Sequence, residues 1–388
     1  MLSSEQIAIQ ALAREFADGE IRPHSAAWDG AGAFDDSVLA KLAELGFLGM
    51  LTPEEYGGLG LDVTTYLTVL EQLAWGDAAV ALTVAIQNGP IPHLLLTHGS
   101  EEQRRSWLPL LASGERVGAF ALSEPGAGSD PGSLSTTAVP KGDGWVLKGE
   151  KRWVTNGGRA DMCLVFARTG DPNDGKPAIG CFIVDTSSAG YEVGRREKTM
   201  GLKASETVSV SLKEVEVGPE ALVGDPARAL GYALDALNIG RLGIAAQSVG
   251  IAQAALEHAT RYAVEREQFG RSIAEFGAIR SKLANMATKT CAARALMMDV
   301  GARVGADGNG GASLPPYKAQ VAMAKLHATE AATWVADEAV QIYGGYGYMR
   351  HYPVEKLMRD AKGPEIYEGT SEVLRMVVGG SLTSEFQA

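Results

Sequence analysis

Cysteine is nearly absent from this chain. Its 388 residues include only Cys163, Cys181 and Cys291, far apart and without a CxxC spacing. So sparse and odd a set excludes a disulfide framework and reads as reduced thiols of a cytoplasmic protein. An excess of positive charge is missing too: 35 Lys and Arg face 47 Asp and Glu, a formal net charge of −12. A broad nucleic-acid surface needs clustered basic residues, so nucleic acid is not an expected partner. No run approaches the ~18 uninterrupted apolar residues of a membrane helix, so membrane insertion is not expected either. The stretch MLSSEQIAIQALAREFADGE lacks a basic leader and the apolar centre of a signal peptide. With 46% hydrophobic and 21% charged residues, the composition excludes a disordered chain.

Several common motifs are approached and missed. Gly170-Asp171-Pro172-Asn173-Asp174-Gly175-Lys176-Pro177 nearly matches a P-loop. Pro177 replaces the hydroxyl residue that would hold Mg²⁺, so a surface turn is expected. Gly126-Ala127-Gly128 follows an apolar run as a dinucleotide loop would, but Ser133-Leu134-Ser135-Thr136-Thr137 then favours strand. Without a helix N-terminus, a dinucleotide phosphate has no cradle. The histidines (His24, His93, His98, His258, His327, His351) show no metal-ligand spacing, and no metal is expected.

What is present divides in three. At about 150 residues per domain the length suggests two to three domains. Residues 1–116 read as a helical domain: Val38, Leu42 and Leu45 recur at helical spacing. Ser3 with Gln6 and Ser100 with Gln103 form capping boxes. Residues 117–226 carry short strand-like runs at 117–123, 145–148, 162–167, 179–184 and 208–212. Gly, Pro, Asp and Asn separate them, which predicts a β-barrel-like domain or a sandwich. Residues 227–388 return to helical pattern, Ile239 to Arg266, Ile273 to Arg303 and Tyr317 to Tyr343, broken by a loop from Asp307 to Pro316. That predicts a helical bundle. The order helical, β, helical makes an α+β fold.

Four segments have residue types suited to a cofactor site. Ser123-Glu124-Pro125-Gly126-Ala127-Gly128-Ser129-Asp130 offers bare N–H groups and hydroxyls, or is simply a turn. In Lys151-Arg152-Trp153-Val154-Thr155-Asn156-Gly157, strand alternation puts Trp153 and Thr155 on one face. That pair suits stacking on a flat heteroaromatic; an ordinary core position for Trp153 is the other reading. Gln341 to Tyr348 ends a helix with more glycines than one cap requires. Arg359 to Glu372 places Glu368 in a turn before a final helix, either as a positioned base or as a solvated carboxylate.

In their order and spacing, these segments together with Arg266-Glu267-Gln268-Phe269-Gly270 resemble the acyl-CoA dehydrogenase family of flavoproteins, from the first helices to about residue 380. The resemblance implies an N-terminal helical domain, a central β-barrel-like domain and a C-terminal four-helix bundle. It also implies FAD, an acyl-CoA substrate, an electron-transfer flavoprotein as electron acceptor, and a homotetramer built as a dimer of dimers. By similarity, Leu122, Ser123, Gly128, Ser129, Trp153 and Thr155 surround the flavin ring. Arg266, Gln268 and Phe269, with Gln341, Gly344 and Gly345, meet FAD across a subunit boundary. Thr370 and Glu372 lie on its phosphate side, while Ser129, Asn238, Arg241, Tyr367 and Gly369 meet the substrate.

Glu368 matches the family's catalytic base, which takes the α-proton as a hydride leaves the β-carbon. Some relatives place the base on a bundle helix, where this chain has Gly240. Gly277 departs from a glutamine common near the flavin diphosphate, and Val217-Gly218-Pro219-Glu220 departs from the usual turn. The alternative is an oxidase or monooxygenase of the same fold that uses dioxygen. A non-catalytic, DNA-associated relative is disfavoured by the acidic charge and by Glu368.

Overall fold

The computed structural model describes residues 2–170, 178–306 and 317–385. Most of the P-loop-like turn and the loop before Tyr317 lie outside these residues. Helix α1 (Ser4–Phe16) starts at a full capping box: Ser3 Oγ accepts from the Gln6 N–H at 3.1 Å and Gln6 Oε1 accepts from the Ser3 N–H at 2.9 Å. Ser100 and Gln103 open α7 (Glu101–Ala112) in the same way. Between them come α2 (Ser25–Ala31), α3 (Ser37–Glu44), α4 (Val63–Gly76), α5 (Ala78–Asn88) and α6 (Pro90–His98). By length and composition Ala78–His98 could cross a membrane, but 94% of that window is buried inside the fold and it breaks at Gly89. It is a pair of core helices.

The middle segment holds β1 (Gly118–Ala121), β2 (Thr137–Lys141), β3 (Gly144–Thr155), β4 (Met162–Arg168), β5 (Ile179–Asp185), β6 (Tyr191–Arg196), β7 (Thr207–Val217) and β8 (Leu222–Val223). They form an eight-stranded sheet in the order β6-β7-β3-β2-β4-β5-β8, with β1 added parallel to β4. The ends β6 and β8 do not pair, so the sheet is open and the barrel-like expectation is corrected. A barrel needs an unbroken ladder all round. Here β2 meets β4 only at Thr137 and Arg168.

The last segment contains α8 (Ala229–Glu265), the hairpin β9 (Glu267–Gln268) and β10 (Arg271–Ser272), α9 (Gly277–Ala306), α10 (Lys318–Tyr343), α11 (Pro353–Lys362) and α12 (Ser371–Glu385). Helix α8 runs 37 residues and starts a turn or more earlier than its apolar pattern predicts. Its Ala- and Gly-rich sequence lets α4, α9 and α10 pack closely around it. Leu67 and Leu70 of α4, Ile244 and Val249 of α8 and Val335 of α10 share one core, while Leu147, Val165, Phe182 and Val210 form a second core on the sheet.

One buried charge cluster ties the segments together. Lys356 of α11 reaches Asp77 at 3.0 Å and Asp360 at 2.6 Å. Asp77 caps α5, and Asp360 accepts from the Leu202 N–H at 2.6 Å.

Candidate active site

The turn between α11 and α12 carries Glu368 with φ +54°, next to Gly369 at φ +102°. A left-handed non-glycine residue costs roughly 1–2 kcal/mol, so the surroundings must hold it. Arg241 Nε donates to the Glu368 carbonyl at 3.0 Å, and Lys325 Nζ donates to the Gly369 carbonyl at 2.8 Å. Asn238 Oδ1 accepts from Arg241 NH1 at 2.8 Å. The Tyr367 hydroxyl donates to Gln247 Oε1 at 2.7 Å, and Thr370 Oγ1 accepts from the Val373 N–H at 3.3 Å to cap α12. Arg241 is thus turned inward, bracing the turn that bears Glu368.

The Glu368 carboxylate is packed against a helix that has no side chain to meet it. A Cβ added at Gly240 would lie 2.4 Å from Glu368 Oε2. Side chains at 240 and 368 would compete for one space, which explains why a glycine accompanies this glutamate. Glu368 Oε2 is buried and has no hydrogen-bond partner among the described residues. Burial pushes its pKa up to about 7, against the pull of the Arg241 and Lys325 cations. Burial also lowers Lys325, to about 8. A carboxyl poised near neutrality in a confined space is suited to general-base work.

A second group lies at the end of β1. The Glu124 and Ala127 backbones bond each other in a tight turn, at 3.0 and 3.1 Å. The buried Glu124 carboxylate accepts from Ser135, Thr136 and Lys151 Nζ, the last at 2.8 Å. Burial works to raise its pKa; Lys151 and the hydrogen bonds outweigh that and hold it at about 2. Lys151 also donates to the Leu122 carbonyl at 3.2 Å, and the Arg152 N–H donates to the Ser123 carbonyl at 2.9 Å. The loop is therefore fixed at its base. Its outer rim is open: Gly128 and Ser129 are exposed, and a Cβ at Gly128 would meet nothing within 4 Å.

Strand β3 does not keep simple alternation here. Its register with β7 shifts between Lys151 and Val154, and Trp153 sits at φ +56°. The bulge turns the Trp153 side chain out, 58% exposed, while Thr155 is half-buried. The core reading of Trp153 is overturned, and the shared face of Trp153 and Thr155 does not follow from strand alternation.

A third group surrounds the β9–β10 hairpin. Phe269 stands at its tip with φ +54° and 94% exposure. Arg266 lies over the Tyr346 ring at 5.4 Å, which brings the hairpin to the glycine-rich end of α10. Gln268, Gln341, Gly344 and Gly345 are exposed, and a Cβ at either of these glycines or at Gly277 would meet nothing within 4 Å. Glu372 is exposed at the start of α12, its carboxyl kept below the usual range by its own backbone N–H and by Thr370. The outturned indole suits stacking on a flat heteroaromatic, and the exposed glycine turn after β1 leaves backbone open to a polar ligand.

Family models for the acyl-CoA dehydrogenase N-terminal, middle and C-terminal domains match residues 3–115, 119–215 and 230–383 in turn. The chain belongs to the acyl-CoA dehydrogenase family. An acyl-CoA dehydrogenase of Bacillus subtilis is 41% identical over 97% of each chain. The butyryl-CoA dehydrogenase structure of Megasphaera elsdenii superposes with a TM-score of 0.94 at 37% identity, covering 99% of both chains. A chain in a structure of the electron transferring flavoprotein of Acidaminococcus fermentans gives 0.93 at 40% identity and 98% coverage of both. Acyl-CoA dehydrogenases are FAD-dependent oxidoreductases acting on acyl-CoA, and solved relatives from Bacillus anthracis and Mycobacterium smegmatis hold FAD and FADH2.

For this acyl-CoA dehydrogenase, sequence reasoning missed Lys325 and the Glu124–Lys151 pair. Lys325 was detectable in principle: it interrupts an apolar face formed by Val321, Ala324 and Ala328. A lysine there needs a buried acceptor, here the Gly369 carbonyl. Glu124 and Lys151 lie 27 positions apart, and no local pattern joins them.

Proposed function

We propose that the chain converts an acyl-CoA thioester to the trans-2-enoyl-CoA, with Glu368 removing the α-proton. Bound FAD supplies the acceptor for the β-hydrogen and its electron pair. The observation that carries the reading is the Glu368 carboxylate, buried, without a partner at Oε2, and given room by Gly240. Its raised pKa suits abstraction of a weakly acidic proton. Arg241 and Lys325 hold its turn in a strained conformation, fixing the carboxylate before substrate arrives. The Glu368 backbone N–H is the protein's donor to the thioester oxygen as negative charge develops there.

Leu122, Ser123, Gly128, Ser129, Trp153 and Thr155 would hold the flavin ring, and Thr370 and Glu372 its phosphate side. Arg266, Gln268, Phe269, Gln341, Gly344 and Gly345 would serve the FAD of a neighbouring subunit in a homotetramer. The bare Phe269 and open glycines support that assignment. Ser129, Asn238, Arg241, Tyr367 and Gly369 line the thioester side. Electrons pass to an electron-transfer flavoprotein, a partner supported by the Acidaminococcus fermentans structure. The free, buried Cys163 and Cys181 accord with a cytoplasmic protein.

The test is anaerobic bleaching of the yellow protein by acyl-CoA, followed by reoxidation with electron-transfer flavoprotein or air. Glu368→Gln should remain folded and yellow yet lose bleaching by at least about a hundredfold. Bleaching at the unchanged rate would remove Glu368 as the base, and rapid peroxide formation would favour an oxidase.

A further inference from the structure

Helix α8 carries a glutamine inside an apolar stretch. Gln247 is wholly buried, and its neighbours Ile244, Ala245, Ala246 and Val249 are core residues. Ser248, beside it, spends its hydroxyl on its own helix, at the Ile244 carbonyl. Gln247 instead joins two other elements. Its Nε2 donates to the Ala78 carbonyl in the first turn of α5 at 2.7 Å, and its Oε1 accepts from the Tyr367 hydroxyl at 2.7 Å. Both ends of the amide are thus engaged, as a buried amide requires. Burial first, and then the Glu368 charge, hold the Tyr367 titration well above its usual range, so its hydroxyl stays a donor at neutral pH. Tyr367 immediately precedes Glu368, and Gln247 lies seven positions, about two turns, beyond Gly240 on the same face of α8. Adjacent side chains of the turn therefore meet one helix face at two points, Glu368 beside Gly240 and Tyr367 at Gln247. Beyond Gln247 lies the corner where α4 meets α5. Asp77 there takes Lys356 of α11 at 3.0 Å, and Ala78, the next residue, takes Gln247. The segment that bears the base is tied to this one corner twice, at α11 before the turn and at Tyr367 within it.

We propose that Gln247 is a positioning residue for the dehydrogenation: by holding the Tyr367 hydroxyl against the Asp77–Ala78 corner, it sets where the Glu368 carboxylate stands before acyl-CoA arrives. This inference rests on the dehydrogenase reading above. Arg241 and Lys325 hold the carbonyls of Glu368 and Gly369. The residue before the base is held by Gln247, through a side chain. A non-glycine backbone at φ +54° needs such restraint, because a relaxed turn would return to ordinary φ and carry the carboxylate away from Gly240. Misplacing a reacting group by about 1 Å can slow a step roughly a hundredfold. Gln247 carries no charge. The titratable groups that interact with Glu368 are Arg241 of α8, Lys325 of α10, Tyr66 of α4 and Tyr367 itself. Replacing Gln247 leaves all four in place, so a change in how Glu368 titrates reports movement of the turn and not a lost charge.

The experiment follows anaerobic bleaching of the FAD-loaded protein by a panel of butyryl-, isobutyryl-, octanoyl- and dodecanoyl-CoA, in wild type, Tyr367→Phe, Gln247→Met and the double variant. Tyr367→Phe removes a single oxygen atom, and Gln247→Met fills the same space without the amide. Each should slow the limiting rate of bleaching about tenfold or more. Each should also move the pH midpoint of bleaching at low thioester concentration downward by about half a unit or more, since a loosened turn lets water reach the carboxylate. The double variant should lose no more than the slower single variant, because both act through one hydrogen bond. Should Gln247→Met not fold, Tyr367→Phe carries the rate and midpoint comparison alone. A limiting rate or a midpoint left at the wild-type value in the folded variants, even with a lower Tm, reduces Gln247 to a packing role and overturns the proposal. Losses that add in the double variant overturn it too, and either result leaves the dehydrogenase reading intact. A wild-type protein that no thioester of the panel bleaches overturns that reading, and the role of Gln247 with it.

Discussion

Glu368 titrates near 7 because burial disfavours its charged form more than Arg241 and Lys325 favour it. Above that pH it is a carboxylate able to take a proton. The bleaching rate at low thioester concentration should therefore climb with pH through a midpoint near 7. The same shift carries a sign for stability. A carboxyl raised from 4.5 to about 7 binds more protons folded than unfolded across that window. Its contribution is fully present below 4.5 and is lost as pH rises through 7. Glu368→Gln should accordingly raise Tm at about pH 8 by the equivalent of ~1–3 kcal/mol, and leave it unchanged near pH 4. Thermal scans showing the same gain at both pH values would refute the buried charge. That a glutamate belongs at this turn was legible from the sequence through its Arg359–Glu372 surroundings. Its left-handed backbone and its closeness to Gly240, 128 positions earlier, were not.

Among the elements, β3 shows where local reading stops. The two capping boxes were readable because donor and acceptor sit three residues apart. The bulge at Trp153 was not, since it arises where β3 slips against β7, more than fifty residues away. The turn after β1 depends in the same way on a distant partner. Lys151 of β3 both neutralises Glu124 and bonds the Leu122 carbonyl. Lys151→Met would leave Glu124 as a lone buried charge, a loss of about 3–5 kcal/mol in urea unfolding. Adding Glu124→Gln should recover most of it. A single variant as stable as wild type would show that the pair does not hold this turn.

Across the whole molecule, the order helix, sheet, helix was legible because apolar spacing changes character near residues 117 and 227. Closure of the sheet was not, because it depends on whether β6 and β8 meet, and no local residue choice decides that. The apolar residues left at the surface carry a further message. Phe269, Tyr348 and Val264 are more exposed than a lone soluble subunit ordinarily tolerates in one region, and Arg266 links the hairpin to the Tyr346 segment. In the homotetramer proposed above, a second copy of the chain would cover them. Phe269→Asp should separate the subunits in light scattering and release FAD, whereas an unchanged mass would remove Phe269 from the contact. The buried Lys356, clasped by Asp77 and Asp360, has a mechanical implication. Prising α11 from α5 would strand an ammonium and two carboxylates in an oily interior, each disfavoured by several kcal/mol. The first and last helical portions are thereby pinned to each other, with the Leu202 loop of the middle segment held to Asp360. Separation along that seam is thus closed off as a route by which so bulky a thioester could enter.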